Sequence, residues 1–195
     1  MINIKLADVI ATTISRRCAI ASLAVLTAAA IVAPAGDAAA HGPTRQKVTA
    51  NITINAPADK VWALIAKFQD MSWHPAVTKT EGSGGNDVGA KRTLTLQSGG
   101  TIQEELTKYS AAKRAYSYEI KAVDVKVLPV NNYSATLSVT DDGGKTVVEW
   151  RGAFYRGFMN NDPPPELSDE AAVKAVEGIF NTGLVALKKK AEAAG

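Results

Sequence analysis

Two charged residues stand where a strand pattern calls for apolar ones. Arg92 falls in step with Leu94 and Leu96, and Glu104 falls in step with Ile102 and Leu106. Alternate residues of a strand share a face, so both charges are predicted to point to the apolar side of a sheet. Only Gln97 to Gly100 separates the two segments, and Gly99-Gly100 is a hairpin signal. The segments should therefore pair, and the guanidinium and carboxylate can serve each other, as charges withdrawn from water must be served. Two readings stay open: an ion pair that merely tolerates burial, or a polar anchor in a ligand cavity. Perturbed charges in a cleft favour function.

His74 is the other candidate. It sits in Trp73-His74-Pro75 at a chain reversal near the predicted mouth of such a cavity. An imidazole there can act as a general base. No serine–histidine–acid or histidine–carboxylate set accompanies it at a recognisable spacing, so catalysis is the lesser reading. The second histidine, His41, would become N-terminal after leader cleavage. Its amine and imidazole can hold copper, but such a site wants a second histidine, and only His74 is available. The chain has no Walker loop, dinucleotide fingerprint or zinc spacing, and no cofactor is expected. Trp62, Trp73, Tyr118, Trp150 and Phe180 are the candidates for an aromatic lining, with ordinary core packing as the plainer alternative.

The elements that must position these groups follow from periodicity. Val48, Ala50, Ile52 and Ile54 alternate with polar residues as a half-buried strand. Pro57 suits the first position of a helix, Asp59 its first turn, and Val61, Leu64, Ile65 and Phe68 its buried face. Pro75 stops it. A weak strand over 77–81, a glycine-rich loop over 82–89, and five further strands follow, with a second hairpin signal at Gly143-Gly144. Trp150, Gly152 and Phe154 share one side of the last strand, and Arg151 faces the other. After a proline-rich loop, Ser168 caps a long helix to about Ala193, with Val173, Val176, Phe180, Leu184 and Leu187 as its stripe. Only this helix is large enough to cover the sheet. Its Gly178 and Gly183 mean either close helix–sheet packing or room for a ligand. The solvated run Lys188–Lys190 suits a helix C-terminus.

The first forty residues read as a secretory leader. Arg16 and Arg17 precede an apolar run from Cys18 to Val32, roughly 22 Å as a helix against a hydrocarbon core of about 30 Å. Ala38-Ala39-Ala40 offers a cleavage site after Ala40. The expected organisation is a leader over 1–40, a tail over 41–46 and one domain over 47–195, located in the periplasm without a stable membrane span. The only cysteine, Cys18, leaves with the leader, so no disulfide or thiolate site is expected. The remaining 155 residues carry 19 basic and 17 acidic side chains, a net charge of +2, which does not suggest a nucleic-acid partner.

The ordered motifs I-N-A-P-A-D-K-V-W, W-H-P-A-V, V-G-A-K-R-T-L-T-L, G-G-T-I-Q-E-E-L, Y-S-Y-E-I, L-P-V-N-N-Y-S-A-T-L-S-V and V-V-E-W-R-G-A-F are spread in order from Ile54 to Phe154, across most of the region after the leader. Together they resemble the START/Bet v 1-like (SRPBCC) superfamily in its polyketide-cyclase-like branch. That resemblance implies an α+β helix-grip fold: about seven curved antiparallel strands wrapped on a long C-terminal helix, with a cavity between them. It also implies that positions 92 and 104 lie in the cavity. The leader with the W-H-P and Y-S-A-T-L motifs is similar to the MxaD family of periplasmic accessory proteins. This implies a non-enzymatic role beside methanol dehydrogenase and its cytochrome c acceptor. The fold hosts unrelated functions, so two alternatives remain. One is a carrier for a small hydrophobic molecule such as a lipid or aromatic compound. The other is a cyclase- or hydrolase-type enzyme using His74 or Glu104.

Overall fold

In the computed structural model, which describes residues 42–193, alternation and turn chemistry produce one antiparallel sheet. Its strands are β1 (Gln46–Ile54), β2 (Val77–Ser83), β3 (Lys91–Leu96), β4 (Thr101–Ser110), β5 (Ala115–Val123), β6 (Val130–Asp142) and β7 (Lys145–Arg156). Helix α1 (Ala58–Ile65) follows β1, and α2 (Asp169–Ala193) closes the chain. The expected leader, its cleavage site and His41 lie outside the described residues.

The sheet order is β1-β7-β6-β5-β4-β3-β2. Strands β2 to β7 form the expected meander, and β1 returns to pair with β7, with Val48 opposite Gly152 and Ala50 opposite Trp150. Both glycine pairs sit at hairpin turns with positive φ, as such turns require. The weak strand near 77–81 is a real edge strand, mostly exposed, with a register shift between Val77 and Lys79. Its exposed Lys79–Glu81 ion pair keeps charge on an edge that other chains could otherwise pair with.

The sheet's inner face packs on α2. Val176, Phe180, Leu184 and Leu187 are buried as expected, joined by Ala172, Gly183 and Ala191, while Val173 is only half-buried. Ser168 caps the helix, its Oγ accepting from the Ala171 N–H at 3.2 Å. Two details differ from the sequence reading at α1. Pro57 is extended at ψ 144° and sits one residue before the helix. The helix also ends at Ile65, so Phe68 reaches the core from the following loop, where Asn86 Oδ1 accepts its backbone N–H at 2.9 Å.

A third charge on the inner face escaped the sequence reading. Arg156 shares parity with Trp150, Gly152 and Phe154, and it is buried. It donates from Nε to the Phe158 carbonyl at 2.8 Å, from Nη2 to the Asn160 carbonyl at 2.8 Å, and from Nη1 to Asp169 Oδ2 at 3.0 Å. One guanidinium thus folds the β7–α2 connection and meets the carboxylate in the helix's first turn.

Candidate functional site

The hairpin expected from Gly99-Gly100 forms, and Arg92 stands directly opposite Glu104 in the β3–β4 register. Both are buried on the inner face, at 2 % and 5 % exposure. Arg92 Nε donates to Glu104 Oε2 at 2.5 Å, and Nη1 donates to the Phe68 carbonyl. The guanidinium carbon lies 4.1 Å from the Phe68 ring centre and 5.0 Å from that of Tyr118. An arginine is therefore accepted here because ring faces and a carbonyl replace the water it loses.

Burial pushes the Glu104 carboxyl above the ordinary glutamate value, and Arg92 pulls it back. Burial is also the largest influence on Arg92 and works against its charge, but Glu104, Tyr116 and Tyr118 together outweigh it, so the arginine holds its proton more tightly than usual. Both shifts are upward, which favours a proton on each group. A guanidinium keeps its proton in proteins, so the arginine governs and Glu104 stands as a carboxylate beside it at neutral pH.

Glu104 opens onto a cavity of about 60 Å³ between the sheet and α2. Its walls come from β3 (Leu94, Leu96), β4 (Ile102, Glu104), β5 (Tyr118, Ile120), Tyr133, Trp150 and, from α2, Ile179, with Met71, His74, Ala76, Val77 and Leu128 closing it. Trp150 Nε1 donates to the Tyr118 hydroxyl at 3.1 Å. Burial pushes both Tyr118 and Tyr133 well up, so their phenols stay neutral.

Of the residues singled out from sequence, the cavity wall contains Glu104, His74, Tyr118 and Trp150. Arg92 sits behind Glu104. Trp62 packs near Tyr109 and Tyr116, with ring centres 5.9 and 6.1 Å away. Phe180 stacks on Trp150 at 4.5 Å, and Trp73 lies 5.6 Å from the same ring. Trp62, Trp73 and Phe180 thus build the core that shapes the cavity without lining it. Ile179 and Tyr133 were missed. Tyr133 was legible by its alternation with Ala135 and Leu137, whereas half-buried Ile179 lies beside the helix stripe rather than on it.

His74 is 2 % exposed, and both of its nitrogens are engaged. Nε2 lies 3.0 Å from the Ile179 carbonyl, and Nδ1 accepts the Ala76 N–H at 3.2 Å. These partners assign a neutral ring with its proton on Nε2. Burial holds its pKa below 6.5, with the Ile179 carbonyl opposing. The ring pins the W-H-P turn to α2. Gly183 makes this possible, because a Cβ there would lie 2.8 Å from His74 Nε2 and 3.0 Å from the Trp150 ring. Close packing therefore explains Gly183. Gly178 has nothing within 4 Å of such a Cβ, and it lies on an outer groove beside α2. That groove and the cavity share His74, Ala76 and Ile179, so these three residues stand between the two.

Residues 45–192 match the family of polyketide cyclases, dehydrases and lipid-transport proteins. The chain belongs to this family. An uncharacterized protein from Bacillus thuringiensis is 30% identical over 74% of this chain and 98% of its own, with a TM-score of 0.63. The protein XoxI from Bacillus cereus is also 30% identical, over 74% of this chain and 94% of its own, at 0.63. Norcoclaurine synthase from Thalictrum flavum, solved with dopamine and hydroxybenzaldehyde, is 16% identical over 76% of this chain and 87% of its own, at 0.59. At that identity it shares the fold alone. No curated protein matches the chain. The polyketide cyclase and lipid-transport fold is thus the expected helix grip, and its cavity suits a ligand-binding protein. Among the described residues, no helix is long and apolar enough to cross a membrane, and no three His, Cys, Asp or Glu side chains cluster as metal ligands.

Proposed function

We propose that this chain is a non-enzymatic binding protein of the periplasm, whose internal cavity receives a small, largely apolar molecule anchored at Glu104. The observation that carries this reading is a carboxylate fixed by a buried arginine and turned onto an otherwise apolar cavity. Catalysis is disfavoured because both His74 nitrogens are engaged and Glu104 is bound to Arg92. Arg92 and Tyr118 complete the anchor, while Trp62, Trp73, Trp150 and Phe180 hold the shape of the space. A cavity of about 60 Å³ is smaller than the roughly 150 Å³ that accepts benzene. A lipid or aromatic cargo therefore requires α2 to move from the W-H-P turn.

The test is to titrate small, largely apolar molecules that carry one polar group into the purified protein at millimolar concentration, following the NMR signals of Leu94, Ile102 and the Trp150 indole that line the cavity. At least one is expected to shift these signals, and to bind more weakly to an Arg92→Met, Glu104→Leu double variant. Binding of undiminished strength in the double variant rejects the anchor.

The leader, the W-H-P motif and the Y-S-A-T-L motif support a narrower setting. In it the protein is an MxaD-type accessory that assists electron transfer from methanol dehydrogenase to its cytochrome c. The limited cargo space favours this setting, because it leaves the surface as the working part. Adding the protein to a reconstituted dehydrogenase–cytochrome pair should change the rate of cytochrome reduction. An unchanged rate rejects this setting.

A further inference from the structure

We infer that the cavity selects a molecule whose polar group donates a hydrogen bond, an alcohol or an amine, over carboxylates and over molecules that only accept. This rests on the binding reading above and names its ligand class. The two oxygens of Glu104 differ. Oε2 takes the Arg92 guanidinium, whereas no hydrogen bond from a described residue reaches Oε1, and Glu104 lines the cavity. Glu104 is buried to 95 % or so of its surface. An ionised carboxylate oxygen facing apolar walls is costly to leave without a donor. Leu94, Ile102 and Ile120 offer none, and the two hydroxyls of the wall, on Tyr118 and Tyr133, form no hydrogen bond to Glu104. A guest hydroxyl or ammonium supplies the missing proton.

The same geometry sets what is turned away. A carboxylate guest would place a second negative charge against Glu104 in a low-dielectric space, and like charges there cannot both persist. Arg92 does not relieve this, because it stands behind Glu104 and is not part of the cavity wall, with Nε and Nη1 given to Glu104 and Phe68. An ether fits by size but offers no proton. Scaled from the roughly 150 Å³ cavity that holds the six heavy atoms of benzene, a space of about 60 Å³ takes about two or three. Guests that small bind at best near millimolar Kd.

Ethanol and dimethyl ether separate the donor from size, since they are isomers with the same three heavy atoms. Ethylamine and acetate test charge. Each is titrated into the protein at millimolar concentration while the NMR signals of Leu94, Ile102 and the Trp150 indole are followed. Ethanol and ethylamine should bind at least about ten-fold more tightly than dimethyl ether, the size of effect a hydrogen bond to a charged group gives. Acetate should leave the cavity signals unmoved. In the Arg92→Met, Glu104→Leu double variant, ethanol and dimethyl ether should bind alike. Equal binding of the two isomers to the wild type overturns the donor rule while leaving the binding reading in place. So does acetate binding as ethanol does, or a preference that survives in the double variant. No response to any probe overturns both.

Discussion

Arg92 and Glu104 illustrate how a residue's cost depends on its partner. Each is buried, and each would be an uncompensated charge if the other were removed. Arg92→Met alone or Glu104→Leu alone should therefore lower stability by about 3–5 kcal/mol, measured by denaturant unfolding. The double variant should retain most of the wild-type stability, because apolar replacement of both partners is often neutral. Losses that add in the double variant would count against direct pairing. The pair was legible in the sequence, because two charges broke the parity of two adjoining apolar strands. Its surroundings were not. The Phe68 carbonyl and ring that receive the guanidinium belong to a loop whose path no local pattern specifies. His74 was visible as a singular residue, but its partners, Ile179 and Ala76, depend on how the helix lies on the turn.

That imidazole also gives a pH prediction. Burial depresses the His74 pKa from 6.5, so the unfolded chain takes up the proton more readily than the folded one. Its contribution to stability is therefore present above about pH 6.5 and is lost as pH falls through the folded-state value. Protonation would also put a hydrogen on Nδ1, where the Ala76 N–H now donates. Between pH 7.5 and 5, wild type should lose more unfolding free energy than His74→Gln. Parallel pH curves would show that this ring does not sense acid.

At the scale of elements, the two glycines of α2 make a matched pair. Both weaken an isolated helix by roughly 1 kcal/mol relative to alanine. Gly178→Ala should therefore raise stability by up to about that amount, since its Cβ meets open space. Gly183→Ala should lower it despite the same gain in propensity, since its Cβ would press on His74 and Trp150. Thermal melts of the two variants should move in opposite directions. Sequence pattern alone could not distinguish them, because both fall within one helix and the difference lies in what crosses it. Ile179 forms part of the wall between cavity and groove. Ile179→Ala should enlarge the space enough for benzene to bind, read from ring-current shifts of Leu94 and Tyr118, while the wild type shows none. Arg156 belongs to this scale as well. Its parity marked it as inward-facing, and its acceptors at Phe158, Asn160 and Asp169 turn a proline-rich segment into a defined helix entry.

For the molecule as a whole, strand order and helix position were readable because alternation, paired glycines and a long amphipathic terminus all agreed. The return of β1 to β7 was not readable from any segment by itself, since it joins residues about a hundred positions apart. The volume left beneath the helix was equally hidden, because it is the remainder after many side chains have packed. The export reading makes a separate prediction: the protein recovered from the periplasm should begin at His41, as N-terminal sequencing would show. A mature chain that retains Cys18 would contradict it.

Helix α2 is tethered along its whole length. Arg156 meets Asp169 at its start, and the Ile179 carbonyl meets His74 in its middle. Near its end, Lys188 Nζ donates to the Thr53 carbonyl at 2.8 Å, and Glu192 Oε1 accepts the Asn55 N–H at 2.8 Å. Lifting the helix from the sheet consequently requires several fastenings to release together, which belongs to the microsecond-to-second range of local opening rather than to the nanosecond flipping of one side chain. A guest too large for the resting space is then exchanged at the pace of the helix, whatever its own affinity.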